Sequence, residues 1–207
     1  AHASFEYYRD GQKHLLKDVM SLPAQNLSTF QLKGQSEKAP EWYVPYHGKK
    51  LQGQALLDQI QLWEERGIVE PSHAHALREC IAHPEWFDLS DRTTVLFGAA
   101  SEAGPLTWLS KWKANIVAID LPNTRVWSKI LDTVSEGNAT LYAPSAETLP
   151  ADTSIEVLKE KLGANLLTQI PEIAQWLIQE GTQFSKGQEI CEIETTKIVN
   201  VLEAPFD

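Results

Sequence analysis

Between Thr93 and Gln179, short apolar runs alternate with segments of helical period, and this alternation constrains the fold more than any other feature. Thr93 to Phe97 (TTVLF), Asn115 to Asp120 (NIVAID), Thr140 to Ala143 (TLYA) and Ala164 to Leu167 (ANLL) read as strands. A helix opened by Pro105 follows the first run. Val126, Trp127, Ile130, Leu131 and Val134 mark a helix after the second, Ile155 to Leu162 one after the third, and Pro171 to Gln179 closes the series. Strands separated by helices of this length cannot be hairpins; they imply parallel neighbours joined by right-handed crossovers. Two further helices precede the series. Leu51 to Arg66 carries Leu56, Ile60 and Trp63 on one stripe and stops at Gly67. Pro71 to His83 carries Ala74, Leu77 and Ile81, with Pro71 in its first turn and Pro84 as its stop.

The expected fold class is α/β, a parallel sheet with flanking helices, followed by a C-terminal β-hairpin. Three regions are expected. Residues 1–47 are irregular or helical, interrupted by Pro23, Gly34, Pro40 and Pro45. Residues 48–180 form the α/β domain. Residues 181–207 change character, with polar–apolar alternation over Gln188 to Glu194 and again over Ile198 to Glu203. Thr195, Thr196 and Lys197 stand between those two runs, so the segment reads as a hairpin with a lysine at its tip.

Charge narrows the partners. The chain has 207 residues, with Lys+Arg 18 against Asp+Glu 28 and a net charge of -10. That balance argues against a nucleic-acid binder, which needs a basic face to displace counterions, and against docking on an anionic membrane. No run of about 18 apolar residues is present to span a bilayer. The two cysteines, Cys80 and Cys191, form no disulfide framework, and a reducing, cytoplasmic setting is expected. The start is too polar for a secretory leader. The first residue is Ala1, and Asp207 falls inside a continuing motif, so both ends are expected to be cut from a longer chain.

The turn after the first strand is Gly98-Ala99-Ala100-Ser101-Glu102-Ala103-Gly104. It resembles the Rossmann dinucleotide fingerprint, with Gly98, Ala100 and Ala103 at its three small positions and Gly104 closing the loop. Ala100 departs from the second glycine and would crowd a pyrophosphate; Glu102 would repel one unless it points away. Asp120 ends the second strand, where the fingerprint places a ribose-binding carboxylate about 20 residues on. The resemblance implies an NAD(P)-binding, oxidoreductase-like domain whose cofactor is NAD, because Asp120 would repel a 2′-phosphate. A Rossmann-like domain without a nucleotide is the alternative. Trp63 to Gly67, Glu70-Pro71-Ser72, VLFGAASEAGPL and AIDLP are similar to Rossmann-type proteins of no assignable reaction. No catalytic residue is identified. Tyr46 and Lys50 have the Y-x-x-x-K spacing of short-chain dehydrogenases but precede the glycine loop instead of following it. Neither G-x-S-x-G nor G-x-x-x-x-G-K occurs.

The end of the chain resembles the lipoyl domain of 2-oxo acid dehydrogenase acyltransferases, acetoin dehydrogenase complexes above all. The matching residues are Glu180-Gly181, Lys186-Gly187-Gln188, Cys191 to Lys197, and Val201 to Pro205. In that family the tip lysine carries lipoate in amide linkage, which places the attachment at Lys197. Biotin carriers are similar too but flank the lysine with Met, where Thr196 and Ile198 stand here. The resemblance implies a lipoate ligase and a dehydrogenase complex as partners. It covers one half of a lipoyl domain, so exposed strand edges are expected. The half-domain could be disordered, add strands to the α/β unit, or pair with a second half in a homodimer. Ile173 to Leu177 suits both the closing helix of one region and a strand of the other, as in a fusion. Three functional readings stand: a dinucleotide-binding domain joined to a carrier segment, a lipoyl-bearing acyltransferase fragment, and a chimeric or recombined chain without catalytic activity.

Other clusters suggest no chemistry. His75, Glu79 and His83 fall on one face of a helix without a fourth ligand and read as a solvated face, so no metal is expected. Cys80 and Cys191 read as structural, and Trp63, Trp127 and Trp176 as core.

Overall fold

The computed structural model describes residues 6–38, 40–179, 189–195 and 198–203. The described residues begin with a hairpin, β1 (Glu6–Arg9) and β2 (Gln12–Leu15), within the segment expected to be irregular or helical. Its turn is Asp10-Gly11, with φ of 52° and 74°. Both central residues are left-handed, the geometry of a tight two-residue hairpin turn that Asp-Gly favours. After a 3-10 turn over Leu16–Ser21 comes β3 (Ser28–Lys33). A second hairpin follows, β4 (Val44–Tyr46) and β5 (Lys49–Leu51), turned by His47-Gly48 at φ 46° and 72°.

The helices α1 (Gly53–Glu65) and α2 (Pro71–Ala82) lie within a residue or two of expectation. Leu56, Ile60, Trp63 and Ala74 are buried between them, with Trp42, Val44 and Tyr46 packed against the cluster. Tyr46 meets the Trp63 ring edge-on at 5.0 Å.

The remaining elements build the main sheet. They are β6 (Thr93–Phe97), α3 (Leu106–Leu109), β7 (Asn115–Ile119), α4 (Thr124–Ser135), β8 (Thr140–Ser145), α5 (Ile155–Lys161) and α6 (Ile170–Gln179). The four strands run in the order β3-β8-β7-β6. β6, β7 and β8 are parallel, as the alternation required, but β3 pairs antiparallel with β8, with Phe30 opposite Ala143. The sheet is therefore mixed, not parallel throughout, and the fold is mixed α/β.

The expected strand over Ala164 to Leu167 does not form. Leu162 makes one bridge to Ser145, and Ala164 N–H donates to the Asp120 carbonyl at 3.0 Å. Asn165 then ends the run. Its side-chain oxygen accepts the Leu167 N–H at 2.9 Å, and its own N–H donates to Gln169 Oε1 at 2.7 Å. That local competition closes a turn where a strand would continue.

One sheet face packs on α3, α4 and α5. Trp127, Ile130, Leu131 and Val134 of α4 are fully buried there with Ile116, Ala118, Leu141 and Ala143. Each large apolar side chain among them contributes roughly 2 kcal/mol of burial free energy. Asn123 caps α4 by accepting the N–H groups of Arg125 and Val126. The opposite face carries α6 at one end, where Ile173 and Trp176 pack with Leu27, Ile119 and Ala164. Trp176 Nε1 donates to Thr29 Oγ1 at 2.8 Å. Buried Glu172 accepts from Arg9 Nη2 at 2.6 Å and so ties the first hairpin to α6.

A polar seam joins the strand-entry end. Lys113 N–H donates to Asn138 Oδ1, Asn138 Nδ2 to the Lys38 carbonyl, and Lys113 Nζ to Asp88. Above it the backbone is packed to contact: a Cβ on Gly137 would lie 2.0 Å from the Ser110 carbonyl oxygen, and one on Gly34 would lie 2.3 Å from that of Gly137. Among the described residues no helix is long and apolar enough to cross a membrane.

The last elements are β9 (Glu189–Thr195) and β10 (Ile198–Glu203), an antiparallel pair that forms its own two-stranded sheet.

Candidate functional site

β9 and β10 pair as the alternating pattern requires. Thr195 pairs with Ile198, Ile193 with Asn200 and Cys191 with Leu202, and the register slips between Leu202 and Glu203. Thr195 is thus a paired strand residue, and two residues separate the strands in sequence, not three. A two-residue connection is the shortest that antiparallel strands commonly use. Those two residues are Thr196 and Lys197. Both lie outside the described residues, as do Gly181, Lys186 and Gly187.

Upstream, Ile173 to Leu177 is helix within α6, not a strand preceding Glu180-Gly181. Trp176 is 2% exposed against the main sheet.

The glycine loop lies at the carboxyl end of β6, beside the end of β7, where open α/β sheets place ligands. Gly98 has φ +73°, open space where a Cβ would project, and an N–H that donates to the Ile119 carbonyl at 2.8 Å. The loop continues as successive turns. Ser101 N–H donates to the Gly98 carbonyl, Gly104 N–H to that of Ser101, and Lys129 Nζ to that of Ala100. Ala103 and Glu102 are exposed.

Asp120 is buried, and both of its carboxylate oxygens are engaged. Oδ2 accepts the Ala100 N–H at 2.8 Å and Oδ1 accepts the Leu121 N–H at 2.8 Å. The fingerprint needs a helix whose N–H groups open directly onto a pyrophosphate. Here α3 begins at Leu106 and has 4 residues. The loop N–H that would meet a phosphate oxygen at Ala100 already meets a carboxylate. Gly98, Ala100, Ala103, Gly104 and Asp120 do form one loop-and-strand-end unit, but their arrangement does not fit a dinucleotide.

Tyr46 and Lys50 sit in the β4/β5 hairpin, remote in sequence from the loop, with Lys50 Nζ 4.4 Å over the Tyr43 ring. His83 Nδ1 shares a hydrogen bond with Glu85 Oε1 at 2.8 Å, and the His83 ring lies 3.8 Å from Glu79 and stacks on Trp86. Among the described residues no three metal-ligating side chains converge. Trp63, Trp127 and Trp176 are core; Cys80 is half-buried, less enclosed than its place near the apolar stripe suggests. The two-residue turns at Asp10-Gly11 and His47-Gly48 are signalled by their sequences, Asp-Gly most directly.

A family model described as "Biotin-requiring enzyme" matches residues 164–207. A domain of that kind implies a covalently attached lipoate or biotin. The match begins within the turn after α5, takes in α6 and both strands of the hairpin, and lies wholly beyond the glycine loop. No curated protein and no solved structure matches the chain.

Proposed function

We propose that the chain acts through its C-terminal hairpin, as a carrier segment in which Lys197 takes lipoate in amide linkage. The observation that supports this reading most is the register: paired strands, separated by two residues of which one is Lys197, within the stretch that the biotin/lipoyl family model matches. A swinging carrier needs its lysine held on a short turn between strands, so that the amine projects to a ligase and later to distant active sites. Joining lipoate makes one amide bond between Lys197 Nζ and the lipoyl carboxyl carbon. The group that activates the carboxyl departs, and the amine gives up a proton. Thr196 and Ile198, standing where biotin carriers have Met, favour lipoate. An acyltransferase of a 2-oxo acid or acetoin dehydrogenase complex is the assembly this chemistry suits.

For the rest of the chain we infer a supporting role. The order β8-β7-β6 agrees with one half of a doubly wound, Rossmann-like sheet, while the bonds of Asp120 favour a loop that braces strand ends over one that holds a nucleotide.

The test is an intact mass after co-expression with a lipoate ligase and free lipoate, beside a culture given a biotin ligase and biotin. A lipoyl increment that disappears in Lys197→Ala is expected. A biotinyl increment would replace lipoate by biotin, and an unmodified mass with both ligases would overturn the carrier reading.

A further inference from the structure

Among the described residues, the main sheet ends in two edge strands that differ in what protects them. β3 forms the first edge and ends in a charged residue, Lys33. β6 forms the second edge and has only β7 beside it. Its sequence, Thr93-Thr94-Val95-Leu96-Phe97, contains no charge and no proline, the devices that keep exposed edges from pairing.

The hydrogen bonds show which groups face outward. Asn115 N–H donates to the Arg92 carbonyl and Gly98 N–H to the Ile119 carbonyl. In a parallel pair alternate residues bond the same neighbour, so Arg92, Thr94, Leu96 and Gly98 turn to β7. Thr93, Val95 and Phe97 turn their N–H and C=O groups to the open edge. The same three residues carry their side chains on the face that α6 covers only at its far end. Val95 is 41% exposed and Phe97 57% exposed, and Val117 beside Val95 is half-buried. Outward-facing backbone and exposed apolar side chains thus coincide on one strand.

We propose that this edge is a dimer interface, and that its occupant is β6 of a second copy of the chain. A two-fold axis at Val95, perpendicular to the sheet, sets Val95 against Val95 and Thr93 against Phe97 of the partner subunit. Each of these residues has its N–H and C=O facing outward, so all three pairs exchange hydrogen bonds, and the apolar row Val117–Val95 continues across the axis into the partner. The arrangement is isologous and closes after two chains. Charge agrees with it. Arg92, one residue before β6, already has Asp91 as its ion-pair partner, with Nε 3.7 Å from Oδ1, and β6 carries no charge of its own, so no like charges face each other along the strands.

Sedimentation of the full chain at high micromolar concentration tests this. The wild type should run at twice the 23.2 kDa chain mass, and Val95→Lys should run at the mass of one chain with its melting temperature kept. A monomeric wild type overturns the proposal, and so does a dimer indifferent to Val95→Lys, which would place the contact elsewhere, the C-terminal hairpin included. If Val95→Lys does not fold, Val95→Cys decides. Hydrogen-bonded partners with Cα atoms about 5.5 Å apart hold their Cβ atoms too far apart for a direct disulfide but well within the span of a short thiol–thiol cross-linker. After treatment of the Val95→Cys variant with a short bismaleimide, a cross-link joining position 95 of one chain to position 95 of the other, located by peptide mass, supports the interface. Its absence overturns it.

Discussion

The main sheet and the C-terminal hairpin are both β-structure, yet they are specified at opposite ranges. In the hairpin, Thr195 meets Ile198 across two residues, and the pattern that makes each strand also fixes its partner. In the sheet, Phe30 meets Ala143 across most of the chain, and nothing near either residue names the other. The hairpin's register is a local property. The sheet's order is the outcome of burying Trp127, Ile130, Leu131 and Val134 under strands brought from distant segments. If the difference in range decides, local pairing should tolerate loss of its surroundings, and long-range packing should fail as a unit.

Gly137→Ala should break the comparison or uphold it with the largest effect. The added Cβ would sit 2.0 Å from the Ser110 carbonyl oxygen and 2.7 Å from its carbon, both backbone atoms that cannot step aside. Overpacking of this kind costs about 4 kcal/mol or more. The expected outcome is loss of the cooperative near-ultraviolet melt, while, on the proposed carrier reading, lipoate ligase still modifies Lys197. If modification disappears together with the melt, the hairpin depends on the sheet, and the distinction between local and long-range specification does not hold.

This distinction also explains what is legible in the sequence. The parallel strands β6, β7 and β8, the helices around them and the hairpin's alternation are readable because each signal repeats within a few residues. β3 is not readable. Ser28–Lys33 has one buried residue, Phe30, and an edge strand of that kind carries half the apolar signal of a central one. The run over Ala164 to Leu167 reads as a fourth strand because it looks like β7's, while Asn165 turns the chain through bonds that composition does not show. The fingerprint is legible as spacing, but spacing does not tell where a carboxylate's oxygens point. Asp120 stands at the expected position and faces inward to the Ala100 N–H.

Asp120→Ala sharpens the point at intermediate size. It leaves the Ala100 and Leu121 N–H groups without their acceptor, at a cost of about 2 kcal/mol. For a chain of this length that is a fall of roughly 4–8 °C in melting temperature. Asp120→Asn keeps an acceptor oxygen for one of the two groups and should lose about half as much. Differential scanning calorimetry checks both. Unchanged melting in Asp120→Ala would remove the bracing role and return the carboxylate to ligand binding, which millimolar NAD would then reveal as a thermal shift in the wild type alone.

The smallest effect concerns the seam at the strand-entry end, where β6 and β7 are joined by charge as well as by pairing. Lys113 Nζ donates to Asp88 Oδ2 at 2.6 Å, and Ser90 N–H to Asp88 Oδ1 at 3.2 Å. The Lys113 ammonium, and after it Ser90, hold the Asp88 carboxyl down from 3.8 to about 2. A carboxyl depressed in the folded state stabilises the fold above its unfolded value. That contribution is complete above about pH 4 and is lost as pH falls through about 2. The group is exposed, so the effect on stability is slight, and the titration itself is the better measurement. A carboxyl-carbon NMR titration should give Asp88 a midpoint of about 2, rising toward the ordinary aspartate value in Lys113→Ala. An ordinary midpoint in the wild type would mean that the long-range contacts of the sheet end at its hydrophobic core, and that the polar seam follows from the fold without helping to fix it.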